Sequence, residues 1–262
     1  MKTVRFGRDD LELFSRASHD KSLLHMSEDY ASQTIYGETI VFGILEAFAA
    51  LGSLPNRPGQ ELASASLNYN LPVLLEVDYE IEPGRSSWDR AKVTLLNSGR
   101  IMMSSVFRFR DRKGDHREFA PAGIAPVHKQ AEWKPDALKP GVMVSGTYTP
   151  EPDPFHKLIE RWQLAAKGLT VPQIATFLWS SYLTGMQLPG LLGTSAMLRL
   201  TFRGDGATAE IPFDYRTRIV EFDDRYSRLQ SATELIGSQG TFADAEVWSH
   251  IRVDTKPTPS PS

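Results

Sequence analysis

The stretch FSRASHDKSLLHMSEDYASQTIYGETIVFGIL, residues 14–45, combines an acid and an imidazole with the start of a strongly apolar segment. Asp20 precedes His25 by five residues, and the chain then leads into IVFGILEAFAALG, which is apolar on nearly every helical face. Such a helix is usually wrapped by other structure, because a surface helix keeps one polar face. We therefore predict a buried helix over residues 30–50.

The same order of elements occurs twice along the chain. The helix at 30–50 precedes segments with the alternating pattern of strands at 63–71, 74–82, 90–97 and 101–111. Helical segments at 154–169 and 171–190 likewise precede strand-like segments at 195–202, 211–224, 226–235 and 242–253. A helix followed by an antiparallel sheet, present twice, predicts a duplicated α+β module.

The stretch between the two halves has a different composition. Residues 112–154 are charged and then rich in proline and glycine, which predicts a connection that runs over the surface. We divide the chain into an N-terminal module (1–125), a linker (126–150), a C-terminal module (151–254) and a disordered tail (255–262).

Composition limits the functional classes that remain open. The formal net charge of -3 provides no overall field that would attract nucleic acid or an anionic membrane, so we expect neither as a partner. The absence of cysteine excludes disulfides, thiolate zinc sites and cysteine nucleophiles. The N-terminus lacks the apolar core of a signal peptide and no apolar run is long enough to cross a membrane, so we expect a cytoplasmic protein.

Four short motifs carry a resemblance to a known family. They are SHDKSLLH (18–25), YA (30–31), YG (36–37) and IVFG (40–43). In their order and spacing they resemble the signature of the MaoC-like hydratases and dehydratases: S-G-D-x-N-P-x-H, a Y-A pair, F-G, and an I-V-H-G that opens a central helix. The resemblance covers roughly the first 125 residues, and the second half looks like the non-catalytic module of two-module members.

The resemblance implies a double hotdog of the α+β class, each half a long central helix wrapped by an antiparallel β-sheet. It implies an acyl-thioester hydratase or dehydratase in which Asp20 and His25 exchange protons and share one water molecule. The backbone N–H of Gly43 would then stabilise charge on the thioester oxygen. The substrate would be a thioester of coenzyme A or acyl carrier protein, with no other cofactor and no metal.

The chain departs from the family pattern at several positions. Phe42 stands where the family has histidine, which removes a hydrogen-bonding group and predicts a more apolar pocket. His19 replaces a glycine, and Ser22-Leu23 replaces Asn-Pro. Two alternative functions therefore stay open: a double hotdog that binds an acyl chain or a partner without catalysis, and a hotdog thioesterase. A homodimer is a further possibility that the sequence leaves open.

Each candidate residue also has a purely structural interpretation. Asp20 could cap a helix, His25 could be a packed histidine, and Gly43 could serve tight packing of helix against sheet. In the second half, we expect the hydroxyls of the Ser180-Ser181-Tyr182 run to bond back to their own helix.

Overall fold

The computed structural model describes residues 2–112, 129–204 and 211–252. Its α-helices are α1 (Arg8–Ser18), α2 (Leu23–Met26), α3 (Glu28–Ser32), α4 (Gly43–Ser53), α5 (Pro152–Trp162) and α6 (Val171–Tyr182). Its strands are β1 (Lys2–Arg5), β2 (Gln60–Tyr69), β3 (Asp78–Pro83), β4 (Arg90–Asn97), β5 (Arg100–Asp111), β6 (Met143–Tyr148), β7 (Gly193–Phe202), β8 (Phe213–Asp223), β9 (Arg228–Gly237) and β10 (Gly240–Ile251). Short 3-10 helices cover Pro135–Ala137 and Leu164–Lys167, and a π-helical turn covers Leu183–Gln187.

The ten strands form one antiparallel sheet in the order β1-β3-β4-β5-β2-β7-β10-β9-β8-β6. Strands β2 and β7 form the central pair, and the strand order is symmetric about them. Thus β2 corresponds to β7, β5 to β10, and β1 to β6. That central pair joins the halves in a register that runs from Ser64 opposite Thr201 to Asn68 opposite Met197. The predicted helix-then-sheet module is therefore present twice, and the halves share one continuous sheet.

Each half wraps its sheet around one strongly buried helix. Eight of the eleven residues of α4 are buried, from Ile44 to Leu51, and α6 is buried from Pro172 through Tyr182. Phe48 and Phe177 meet with their ring centroids 5.9 Å apart, so the two central helices contact each other across the core. Burial on nearly every face explains why Glu46 is the only charged residue in either helix.

The predicted helix over 30–50 is wrong in its first half. After α3 the hydroxyl of Thr34 donates to the carbonyl of Ala31, and Gly37 adopts a left-handed conformation (φ 73°). Ile40 then pairs with Leu74 as an isolated bridge. These local bonds satisfy the backbone in place of helical ones, and α4 begins only at Gly43, the residue at which the resemblance predicted its start.

The predicted surface connection over 112–154 is also wrong in part, because β6 lies within it. This strand pairs with β8 from Met143 opposite Arg218 to Tyr148 opposite Phe213 and forms one edge of the sheet. Its sequence, MVSGTY, is short and largely polar, so it lacks the apolar alternation that marks the other strands. The division of the chain into modules stays a prediction.

Several sequence interpretations concern residues outside the described ranges, among them the tail at 255–262. Within the described ranges, no helix has the length and apolar character needed to span a membrane.

Candidate active site

A cleft lies where the two halves meet. Its walls come from Asp20, His25 and the start of α4 in the first half and from the end of α6 and the start of β7 in the second. The cleft is open to solvent on one side and encloses about 820 Å³ when the adjoining solvent space is included. Asp20, His25 and Gly43 all line it, so the three residues chosen from sequence converge on one space.

Asp20 enters this cleft from the loop that follows α1. His19, in a left-handed conformation (φ 59°), ends α1 and turns the chain inward, and Asp20 is left 1% exposed. Its Oδ1 accepts a hydrogen bond from the amide of Ser22 at 3.0 Å, and its Oδ2 accepts one from the hydroxyl of Ser181 at 2.7 Å. Burial raises the pKa of Asp20 to about 7 against the opposing effect of these hydrogen bonds, so the carboxyl group can carry a proton near neutral pH.

His25 lies on the short helix α2 with its ring held at one nitrogen. Its Nδ1 is 2.8 Å from the carbonyl oxygen of Ile40, so Nδ1 carries the proton and donates it. The other ring nitrogen, Nε2, is then the basic one. Burial lowers the pKa of His25 to about 4, chiefly by removing water from the cation, and a nearby Arg252 charge acts in the same direction. His25 is therefore neutral at physiological pH.

Phe42 does not line the cleft, contrary to the expectation that it makes the pocket more apolar. Its fully buried ring packs against His25 at 4.1 Å between centroids and against Phe14 at 4.6 Å. Phe42 therefore fixes the plane of the His25 imidazole from behind. The phenylalanine in place of the family histidine therefore alters the packing behind His25, and it does not alter the residues that line the cleft.

Gly43 is the first residue of α4, where a backbone N–H has no partner within the helix and the helix dipole is positive. A Cβ at this position would lie 2.6 Å from Cε1 of Tyr69, which is closer than any real contact allows. Packing against Tyr69 alone is therefore enough to explain why residue 43 is a glycine. Gly43 also lines the cleft, and the use of its amide by an oxygen of a substrate stays a prediction.

The second half supplies groups that the sequence did not reveal. Ser181 donates to Asp20 across the interface of the halves, so the expectation that its hydroxyl bonds back to its own helix is wrong. The neighbouring Ser180 does bond back, to the carbonyl of Phe177 at 2.7 Å. Gly185, in the π-helical turn, packs so closely that a Cβ there would lie 2.4 Å from Oδ1 of Asp20. No signal in the sequence links these residues to a carboxylate more than 160 positions away.

Glu46 is a further cleft residue that was overlooked, although an acid inside the apolar run IVFGILEAFAALG was a usable signal. It is 4% exposed, and burial raises its pKa well above the ordinary value for glutamate. Its Oε2 and the phenol oxygen of Tyr69 are both buried without a hydrogen-bond partner among the described residues.

The structural alternatives for the acid and the imidazole have separate outcomes. Ser22, not Asp20, occupies the N-cap position of α2, so the capping interpretation of Asp20 is wrong. His25 is packed, as its alternative interpretation required, and it also lines the cleft. The catalytic roles of Asp20, His25 and Gly43 stay a prediction.

No family model matches the sequence, and no curated protein matches it. Among solved structures, the chain is similar to a MaoC domain protein from Chloroflexus aurantiacus J-10-fl, with a TM-score of 0.68, 11% identity, and coverage of 96% of this chain and 93% of that one. It is similar to a MaoC-like dehydratase with a TM-score of 0.66, 11% identity and 95% coverage of both chains. It is also similar to an acyl-CoA thioesterase II from Mycobacterium marinum, with a TM-score of 0.50, 13% identity, and coverage of 84% of this chain and 93% of that one. These comparisons confirm the double-hotdog α+β fold and its likeness to the MaoC-like dehydratases over nearly the whole chain.

Proposed function

We propose that the protein is an acyl-thioester dehydratase and hydratase that interconverts 3-hydroxyacyl and 2-enoyl thioesters with Asp20 and His25 as its acid and base. The observation that carries the proposal is that both side chains line one cleft with the N-terminus of α4, and that their pKa values are shifted in opposite directions. A pair of titratable groups with separated pKa values is a common arrangement for acid-base catalysis.

In the dehydration direction, Nε2 of neutral His25 takes a proton from C2 of the 3-hydroxyacyl thioester. Negative charge then grows on the thioester oxygen, and the Gly43 amide and the dipole of α4 stabilise that charge. The protonated carboxyl of Asp20 gives its proton to the 3-hydroxyl group, and the C3–O bond breaks to release water. His25 is left as a cation and Asp20 as an anion, and transfer of one proton between them through solvent restores the starting state.

Hydration follows the same path in reverse. A water molecule lies between anionic Asp20 and cationic His25. Asp20 takes a proton from this water as its oxygen bonds to C3, and the imidazolium of His25 gives its proton to C2. The substrate handle in this proposal is coenzyme A or acyl carrier protein, since either presents the same thioester to the cleft.

The test is the loss of ultraviolet absorbance when the wild-type protein is mixed with a 2-enoyl thioester. We expect Asp20→Asn and His25→Ala each to lower kcat/KM by about 10²- to 10⁴-fold, the range typical of a lost acid or base. Asp29→Asn and His156→Ala change exposed residues of the same types and should leave the rate unaltered. Full activity in Asp20→Asn or His25→Ala would contradict the assignment.

Two other functions give different results in the same assay. A hotdog thioesterase releases free thiol, which a thiol reagent detects, and leaves the double bond in place. A binding protein holds the acyl thioester and catalyses neither reaction. The environment of Asp20 favours the lyase, because a buried carboxyl group whose pKa is raised to about 7 can give its proton to a leaving hydroxyl group.

A further inference from the structure

A second polar pair lies in the cleft and takes no part in the proposed proton transfers. Glu46 is one helical turn beyond Gly43 on α4, so the two residues share a face of the helix. The ring of Tyr69 packs directly on Gly43 at that face. Both Glu46 and Tyr69 line the cleft.

The pair is chemically incomplete. The Oε2 atom of Glu46 and the hydroxyl of Tyr69 are buried, and neither has a hydrogen-bond partner among the described residues. A buried polar group without a partner is unfavourable, so two of them on residues that line one cleft indicate a ligand that completes them. Burial raises the pKa of Tyr69 well above its ordinary value, and the nearby Glu46 carboxyl group adds to the rise, so the two groups lie within electrostatic reach of each other.

The rest of the cleft has the same character. Eleven of its twenty lining residues carry a polar or ionisable side chain, which is more than a plain alkyl chain needs. This contrasts with an acyl channel for simple hydrocarbon chains, which is expected to be lined mainly by apolar side chains.

We propose that Glu46 and Tyr69 recognise an oxygen substituent, a hydroxyl or a carbonyl, on the acyl chain of the substrate beyond the reacting carbons C2 and C3. A neutral carboxyl group and a phenol can each donate and accept one hydrogen bond, so both oxygen functions fit. Glu46 lies three positions after Gly43 on the helix, a rise of about 4.5 Å, so we place the oxygen near C5 when the thioester lies at the Gly43 amide.

This inference rests on the proposed function for the direction of the acyl chain, and its test does not require turnover. The probes are the hexanoyl, 5-hydroxyhexanoyl and 5-oxohexanoyl amides of aminopantetheine, in which an amino group replaces the thiol of pantetheine. They contain no carbon–carbon double bond and no thioester. Calorimetry gives the dissociation constant of each. We expect at least one oxygenated probe to bind wild type at least 10-fold more tightly than the hexanoyl probe.

Variants assign that preference to the pair. Tyr69→Phe and Glu46→Leu should each reduce the preference to less than 3-fold, whereas Glu46→Gln, which keeps a neutral hydrogen-bonding group, should retain most of it. Tyr226→Phe removes an exposed phenol that does not line the cleft and is the matched control that should keep the full preference. The dissociation constants of the 5-hydroxyhexanoyl and 5-oxohexanoyl probes show whether the pair prefers a hydroxyl or a carbonyl oxygen.

Equal binding of all three probes by wild type would overturn the inference and show that solvent alone completes the pair. A preference that survives Tyr69→Phe and Glu46→Leu would also overturn it. If the preference is present but no 2-enoyl thioester is hydrated, the proposed lyase fails while the recognition of an oxygenated acyl group stands. Circular dichroism of each variant confirms that it is folded.

Discussion

The hydroxyl of Ser181 donates a hydrogen bond to Oδ2 of Asp20 at 2.7 Å, although the two residues are 161 positions apart and belong to different halves. The second half carries no Asp-x4-His motif of its own. Burial raises the pKa of Asp20, and the bond from Ser181 in the second half opposes that rise. A hydroxyl that donates to a carboxylate favours the charged form and lowers its pKa. The second half therefore forms part of the cleft around Asp20.

Ser181→Ala should raise the pKa of Asp20 by roughly one unit, because it removes a hydrogen bond worth about 1.5 kcal/mol to the charged form. The expected result is an alkaline limb of kcat/KM shifted upward in pH, together with a lower maximal rate from a less ordered acid. Ser181→Thr should restore the wild-type limb. Ser180→Ala is the matched control, since that hydroxyl bonds to Phe177 instead. An unmoved alkaline limb in Ser181→Ala would rule out this positioning role.

The proposed chemistry needs His25 neutral and Asp20 protonated, and this fixes a pH window. His25 is neutral above its pKa of about 4, and Asp20 keeps its proton below its pKa of about 7. We expect kcat/KM to rise through pH 4, remain level, and fall through pH 7. Dehydration starts with the titrating proton on Asp20, and hydration starts with it on His25. In both cases the pair holds one such proton, so the two directions should share this pH window. An alkaline limb above pH 9 would exclude Asp20 as the acid.

The raised pKa of Asp20 also predicts a change in stability with pH. The folded state holds the proton up to about pH 7, whereas the unfolded chain releases it near pH 4, so ionisation above pH 4 favours unfolding. Asp20→Asn cannot ionise. Its free energy of unfolding should improve relative to wild type by roughly 4 kcal/mol between pH 4 and pH 8. Urea denaturation at the two pH values measures this, with Asp29→Asn as the exposed control that should show no such change.

Parts of this site could be predicted because they are local in sequence. Asp20, His25 and Gly43 fall within 24 residues, and the all-round apolar character of α4 indicates a helix at the centre of a module. Ser181 was not predictable, since only the shared sheet brings α6 to the first half. The edge strands β1 and β6 were missed because a short strand with one neighbour needs little apolar alternation.

Gly185→Ala tests how closely the second half packs on the acid. The added methyl group would start 2.4 Å from Oδ1 of Asp20, so either the π-helical turn or the carboxyl group must move. We expect kcat to fall at least 10-fold and stability to fall by about 1–3 kcal/mol, the usual cost of overpacking. Gly7→Ala is the control, because its methyl group meets only the end of the Glu76 side chain. If Gly185→Ala keeps the wild-type kcat, catalysis does not depend on the position that the Asp20 carboxyl group has in this structure.

A double variant separates the two explanations for Gly43. The methyl group of Gly43→Ala would point at the Tyr69 ring, 2.6 Å from Cε1, while the backbone N–H stays in place. We therefore expect Gly43→Ala alone to lower both stability and hydration of a plain 2-enoyl thioester. In the Tyr69→Ala background, where the ring is absent, the same substitution should change kcat/KM less than 3-fold. If the substitution still lowers kcat/KM more than 10-fold in that background, the methyl group obstructs the substrate itself, and Gly43 is required for close approach of the thioester rather than for packing against Tyr69.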